Sequence, residues 1–153
     1  GVTIPGLRES RHAAIAIAVL GVYLQVVEWV DLGPWNTFVA GSNGQEQADI
    51  LFAILTVVLV AALWRGGRTA TLGAVMATGA WAVLQIATWW IPYLQGASTA
   101  WQRTYSRWFA GNAQVLPGDA THLPPDANHL VLQILILAAF ALSLVAARAT
   151  ARR

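Results

Sequence analysis

The chain reads QADILFAILTVVLVAALW from Gln47 to Trp64, RGGR from Arg65 to Arg68, and TATLGAVMATGAWAVLQIATWWI from Thr69 to Ile91. A helix rises about 1.5 Å per residue, so a hydrocarbon core of about 30 Å takes roughly 20 apolar residues. Both runs have that length. Backbone N–H and C=O groups cannot be left open in lipid, so apolar runs of this length should be helices. The Arg-Gly-Gly-Arg turn leaves no room for anything but an antiparallel hairpin.

Working outward, two further segments qualify, about 12–31 upstream and 128–148 downstream. The expected fold is all-α: a polytopic membrane protein, residues 1–153 forming a single four-transmembrane-helix bundle with spans near 12–31, 47–64, 69–91 and 128–148. The first segment follows Arg8 and Arg11 as a signal peptide would. No small-residue cleavage site comes after it, and it runs on into Glu28-Trp29, so it reads as a retained span.

Composition agrees. Of the 153 residues, 57% are hydrophobic and 10% charged, against about 25% charged in soluble domains. The formal net charge of +2 is too small to imply a nucleic-acid partner. The chain has no cysteine, which excludes disulfides, thiolate metal sites and dithiol redox chemistry, including that of four-helix quinone-linked thiol oxidoreductases. Every basic residue is Arg and alanine is abundant, a bias suggesting a high-GC bacterial genome and a cytoplasmic (inner) membrane.

Orientation follows from the arginines. Arg8, Arg11, Arg65, Arg68, Arg148, Arg152 and Arg153 fall on one side of the four spans, and only Arg103 and Arg107 on the other. The positive-inside rule then places both termini in the cytoplasm. The outer side receives Glu28, Asp31, Glu46, Asp49, Asp119 and Asp126, together with Trp29, Trp35, Trp89, Trp90, Trp101 and Trp108. Stripes of small residues, Thr69-Gly73-Ala77 and Ala139-Ser143-Ala147, offer surfaces on which helices could approach closely.

Polar residues inside spans face the bundle or a cavity by default. Gln25 and Glu28 share a face of the first span, Asp49 and Thr56 one of the second. Thr78, Trp81, Gln85 and Thr88 follow helical spacing in the third, and His129 and Gln133 in the fourth. Gln25, Gln85 and Gln133 each lie about five to seven residues from the outer helix end, roughly 8–10 Å deep. Glu28, Asp49 and His129 sit nearer the mouth. One reading is an outward cavity that binds a small ligand, ion or lipid headgroup. The other is structural: glutamines as interhelical glue, Glu28 in the headgroups, and Glu46 and Asp49 complementing the start of the second helix. Ser42 or Asn43 would cap that helix, with Gln45 or Glu46 closing a capping box.

Pro124-Pro125-Asp126 reads as a stop followed by an N-cap, with His129 in the third helical position. Asp126, His129 and nearby His122 also suggest a metal, but the HExxH type of spacing is absent and the capping reading is favoured, so no metal is expected. In 98–110, Trp101, Tyr105, Trp108 and Phe109 fall at i, i+4, i+7 and i+8, with Arg103 and Arg107 on another face. This predicts an interfacial amphipathic helix in the third loop, an anchor for that loop or a lid whose arginines reach carboxylates or an anionic headgroup.

No nucleophile constellation stands out around Ser42, Ser98, Ser106 or Ser143, and no motif is specific enough to name a family or a cofactor. Three functions stand open: a ligand-binding or transport protein using Gln25, Glu28, Asp49, Trp81, Gln85, Arg103, Arg107, His129 and Gln133; a membrane-embedded enzyme acting on lipid or isoprenoid at the outer leaflet; and an accessory subunit of a larger complex. Membrane lipid is the expected partner, with a small ligand or cation beside it and homo-oligomer formation open.

Overall fold

The computed structural model describes residues 6–36 and 46–151, with the backbone alone at 46–48. The expected caps of the second helix at Ser42, Asn43 and Gln45 lie outside the described residues, as does the Glu46 side chain. Helix α1 spans Leu7–Trp29, α2 Glu46–Arg65, α3 Arg68–Gln85, α4 Ile91–Gln95, α5 Thr99–Trp108 and α6 Ala127–Ala151. A 3₁₀ turn occupies Gly33–Trp35, and a π-helical turn, Ile86–Trp90, joins α3 to α4. No strand occurs among the described residues. Three helical stretches are long and apolar enough to cross a membrane: Leu7–Trp29, Arg68–Gln95 and Ala127–Ala151.

The hairpin between α2 and α3 is made by two glycines. Gly66 (φ 78°) and Gly67 (φ 121°) take backbone conformations that side chains disfavour. Gly66 N–H closes α2 by donating to the carbonyls of Ala62 and Leu63 at 3.2 and 3.0 Å. Further along, Pro92 explains the π turn. Proline has no N–H to offer the carbonyl four residues back, and its ring crowds that carbonyl. The chain widens by one residue instead, and Ile91 N–H donates to Ile86 O. The helix therefore runs on to Gln95, past the expected end at 91. It also turns Trp89 inward, where it is buried, and Trp90 onto α6.

Helix α6 packs between α1 and α3, and α2 packs along α1. The core holds Ala13, Ile17, Leu20 and Leu24 of α1, at helical spacing, against Leu132, Ile136, Ala139 and Ala146 of α6, with Leu63 and Ala74 from the hairpin. Ala139 and Ser143 are buried, so that stripe mediates close packing. The Thr69-Gly73-Ala77 stripe does not: all three are exposed, and a Cβ added at Gly73 would meet nothing within 4 Å. The buried face of α3 is Thr71, Ala74 and Thr78.

Hydroxyl groups stitch the end of the bundle that carries the Arg65–Arg68 turn. Ser10 Oγ donates to Leu63 O at 2.6 Å, and the Thr71 and Thr150 hydroxyls meet at 3.1 Å. The outer surfaces of the long helices are apolar, with Val19, Val22, Leu55, Val57, Val58, Met76, Val83 and Ile134 among the exposed side chains. A surface like that suits hydrocarbon better than water.

Candidate functional site

The opposite end of the bundle gathers Trp29, Trp35, Trp89, Trp90, Trp101 and Trp108, six of the eight tryptophans, and most of the polar groups. Two loops are tied together there. Ala113 N–H donates to Pro34 O at 2.6 Å, Ala127 N–H to Ala113 O at 2.8 Å, and Ala97 N–H to Thr121 O at 2.7 Å. Asn36 finishes α1: its amide donates to Val27 O and Val30 O while its own oxygen accepts from Leu32 N–H. That satisfies helix-end carbonyls which would otherwise lack partners.

Asp126 is the N-cap of α6. It is fully buried, and its Oδ1 accepts from His129 N–H at 2.8 Å. The same oxygen lies 2.8 Å from His129 Nδ1, and Oδ2 accepts from Asn112 Nδ2 at 2.6 Å. Burial pushes this carboxyl up, but the facing imidazole and the hydrogen bonds from Asn112 and His129 outweigh it and hold the group below its ordinary value. Between α1 and α6, Tyr23 Oη donates to Asn128 Oδ1 at 2.7 Å and accepts from Trp35 Nε1 at 3.0 Å.

The His129 ring lies in an aromatic box. Its centroid is 4.1 Å from that of Trp89 and 5.2 Å from that of Phe109. Trp89 also meets Trp101, Tyr105 and Phe109 edge-on, at 5.3, 6.2 and 5.0 Å. Of the aromatic face expected to lie on the bilayer, Trp101, Tyr105 and Phe109 are thus directed at Trp89 and dock α5 on the bundle. Burial, with the Asp126 charge adding to it, raises the Tyr105 phenol above its ordinary value. Ser98 caps α5, its Oγ accepting from Trp101 N–H at 3.2 Å.

The structure distributes the sequence-derived site residues over several places. Glu28 is half-buried and lies in the coulombic field of both Asp49 and His129. Gln25 donates to Asp49 O at 3.2 Å, accepts from Trp29 Nε1 at 3.0 Å, and lines a groove between α1 and α2. Gln133 accepts from Trp90 Nε1 at 2.8 Å and donates to Gln85 Oε1 at 3.3 Å. Those two amides line a separate hollow of about 270 Å³ between α3 and α6. Trp81 stacks on Phe52, with centroids 5.3 Å apart. Arg103 and Arg107 are exposed, and Arg107 lies over Trp108 at 4.7 Å. The group facing the buried Asp126 carboxylate is therefore the His129 imidazole, not an arginine of α5.

Sequence reasoning passed over Tyr23, Asn36, Asn112 and Asn128. Tyr23 carried a signal, a phenol inside an apolar span, since a buried hydroxyl of this kind finds a partner. Asn112 carried none. No protein-family model, curated protein or solved structure matches the chain.

Proposed function

We propose that this chain is a four-span protein of a bacterial cytoplasmic membrane, with both termini inside, and that its outer end binds a small cationic ligand. Helix α2, apolar over most of Glu46–Arg65 and packed along α1, supplies the fourth span. The observation that carries the ligand reading is Glu28. It is half-buried at the end of a membrane-length helix, in the coulombic field of Asp49 and His129, and makes no hydrogen bond or ion pair with the described residues. An ionisable group so placed is a functional-site candidate by default, and two neighbouring carboxylates favour a cation between them. The tryptophans around this end add ring faces that attract cations.

A second reading has one observation behind it. Asp126 orients the His129 imidazole through Nδ1, leaving Nε2 as a base or acceptor, the way a carboxylate orients a catalytic histidine. That would suit an enzyme acting on lipid at the outer leaflet.

Thermal stability in detergent separates the two. Alkali cations, a primary alkylamine and a quaternary ammonium salt are titrated in turn. At a hundredfold excess over Kd, a bound cation should raise the midpoint by roughly 5–10 °C. Glu28→Gln should abolish the shift, and exposed Asp119→Asn should keep it. If no cation shifts the midpoint, or Glu28→Gln responds like the parent, the cation reading fails.

A further inference from the structure

Another hollow extends away from the outer end. A groove of about 920 Å³ runs between α1 and α2, with Trp29 and Gln25 towards one end and Trp64 and Arg65 at the other. Its floor is closed by tight packing, because a Cβ added at Gly21 would collide with Thr56. Its walls are otherwise small or aliphatic, such as Ala18, Ala53 and Val57. The two helices are antiparallel, so Ala18 to Trp29 walls the half of the groove towards Trp29, and Ala53 to Trp64 walls the half towards Arg65. The half towards Arg65 is about 17 Å long, close to the depth of one leaflet, about 15 Å of hydrocarbon.

The inner end is cationic. The Arg11 guanidinium lies over the Trp64 ring, 5.3 Å from its centroid. Arg65 lines the groove, and its Nη1 donates to Ala61 O at 3.3 Å. The ion pairs among the described residues are Asp119–His122 and Asp126–His129, so neither arginine is neutralised by a described carboxylate. Two held guanidiniums at the mouth of an apolar slot fit a phosphate with an acyl chain attached. Guanidinium is suited to phosphate oxygens, and basic pockets between helices on the cytoplasmic side are where anionic headgroups settle.

We infer that the groove between α1 and α2 seats an acyl chain of an anionic phospholipid from the inner leaflet, its phosphate held by Arg11 and Arg65. This rests on α2 lying in the bilayer with Arg65 at the inner face, and is independent of the outer-end ligand. The bound lipid fills the shallow interface of α2, whose only buried described side chain is Leu63.

Native mass spectrometry of the chain in detergent, titrated with phosphatidylglycerol or phosphatidylcholine of the same acyl chains, tests the inference. The parent should retain phosphatidylglycerol in preference. Losing two basic contacts should weaken that retention about 30-fold in Arg11→Ala/Arg65→Ala. Arg68→Ala/Arg148→Ala, with the same change in net charge, should behave as the parent. Ala53→Phe/Ala61→Phe fills the slot and should weaken both lipids, with helical content by circular dichroism unchanged. Equal retention of the two lipids by the parent overturns the inference. So does an undiminished preference in Arg11→Ala/Arg65→Ala, or a lipid-free dimer occluding the groove. The assay requires no orientation, so its failure and a failure of the topology are read separately.

Discussion

Replacing Asp126 with alanine is expected to destabilise the chain by about 3–5 kcal/mol, which a lost N-cap and two lost hydrogen bonds to a buried carboxylate add up to. Three roles end together. The first turn of α6 loses its cap at His129 N–H, His129 loses its Nδ1 partner, and Asn112 loses the carboxylate that pins the third loop. Thermal denaturation in detergent measures the loss, and proteolysis between 110 and 125 should quicken. The pH dependence has a definite sign. The folded-state value of Asp126 lies below the ordinary 3.8. Its contribution is therefore full above that value and is lost as pH falls through the lowered one. The acid limb of the stability profile should flatten in Asp126→Asn, and between pH 5 and 8 this carboxylate should add no slope. A variant as stable as the parent at neutral pH would show that the cap and the Asn112 tie are dispensable.

Trp89→Ala is expected to cost a similar amount, about 3–5 kcal/mol, as large aromatic truncations in a packed interior do. Trp89 is 2% exposed. It is the ring that Trp101, Tyr105, Phe109 and His129 all contact. Its removal should undock α5 while leaving the four long helices assembled, since the Ile17, Leu20 and Ile136 core lies elsewhere. Cysteine labelling at the buried position 105 should rise sharply in the variant and stay low in Trp89→Phe. A position 105 that stays protected in Trp89→Ala would mean that α5 is held by the loop backbone and not by its aromatic face.

The long helices were legible in sequence because lipid-length apolar runs and a glycine turn are local signals. The expected 47–64 and 128–148 lie inside Glu46–Arg65 and Ala127–Ala151. Helix α1 starts at Leu7 rather than 12, because helix geometry continues through Arg8, Glu9 and Arg11 where hydropathy does not. The Asp126 cap was legible from Pro124-Pro125-Asp126, and the aromatic spacing marked α5. The inward direction of those rings was not, because the spacing that makes an interfacial helix also makes a docked one. Nor were Asn112 with Asp126, Tyr23 with Asn128, or Pro34 with Ala113. Asn112 and Asp126 are 14 residues apart in an irregular loop and the other two pairs join distant segments, and pairing of either kind leaves no periodic trace. Gln25, Gln85 and Gln133 share a depth but line different hollows, because depth does not fix the direction in which a helix face points.

Accessibility of engineered cysteines tests the four-span topology most directly, since the chain has none of its own. Val115→Cys and Asp119→Cys sit in exposed positions of the third loop, and Thr69→Cys and Ala151→Cys mark the other end. Each is treated with a membrane-impermeant maleimide in spheroplasts, before and after lysis. Four spans with both termini inside require positions 115 and 119 to label in intact spheroplasts, and 69 and 151 only after lysis. Labelling of 69 or 151 from outside, or protection of both 115 and 119, would contradict the account.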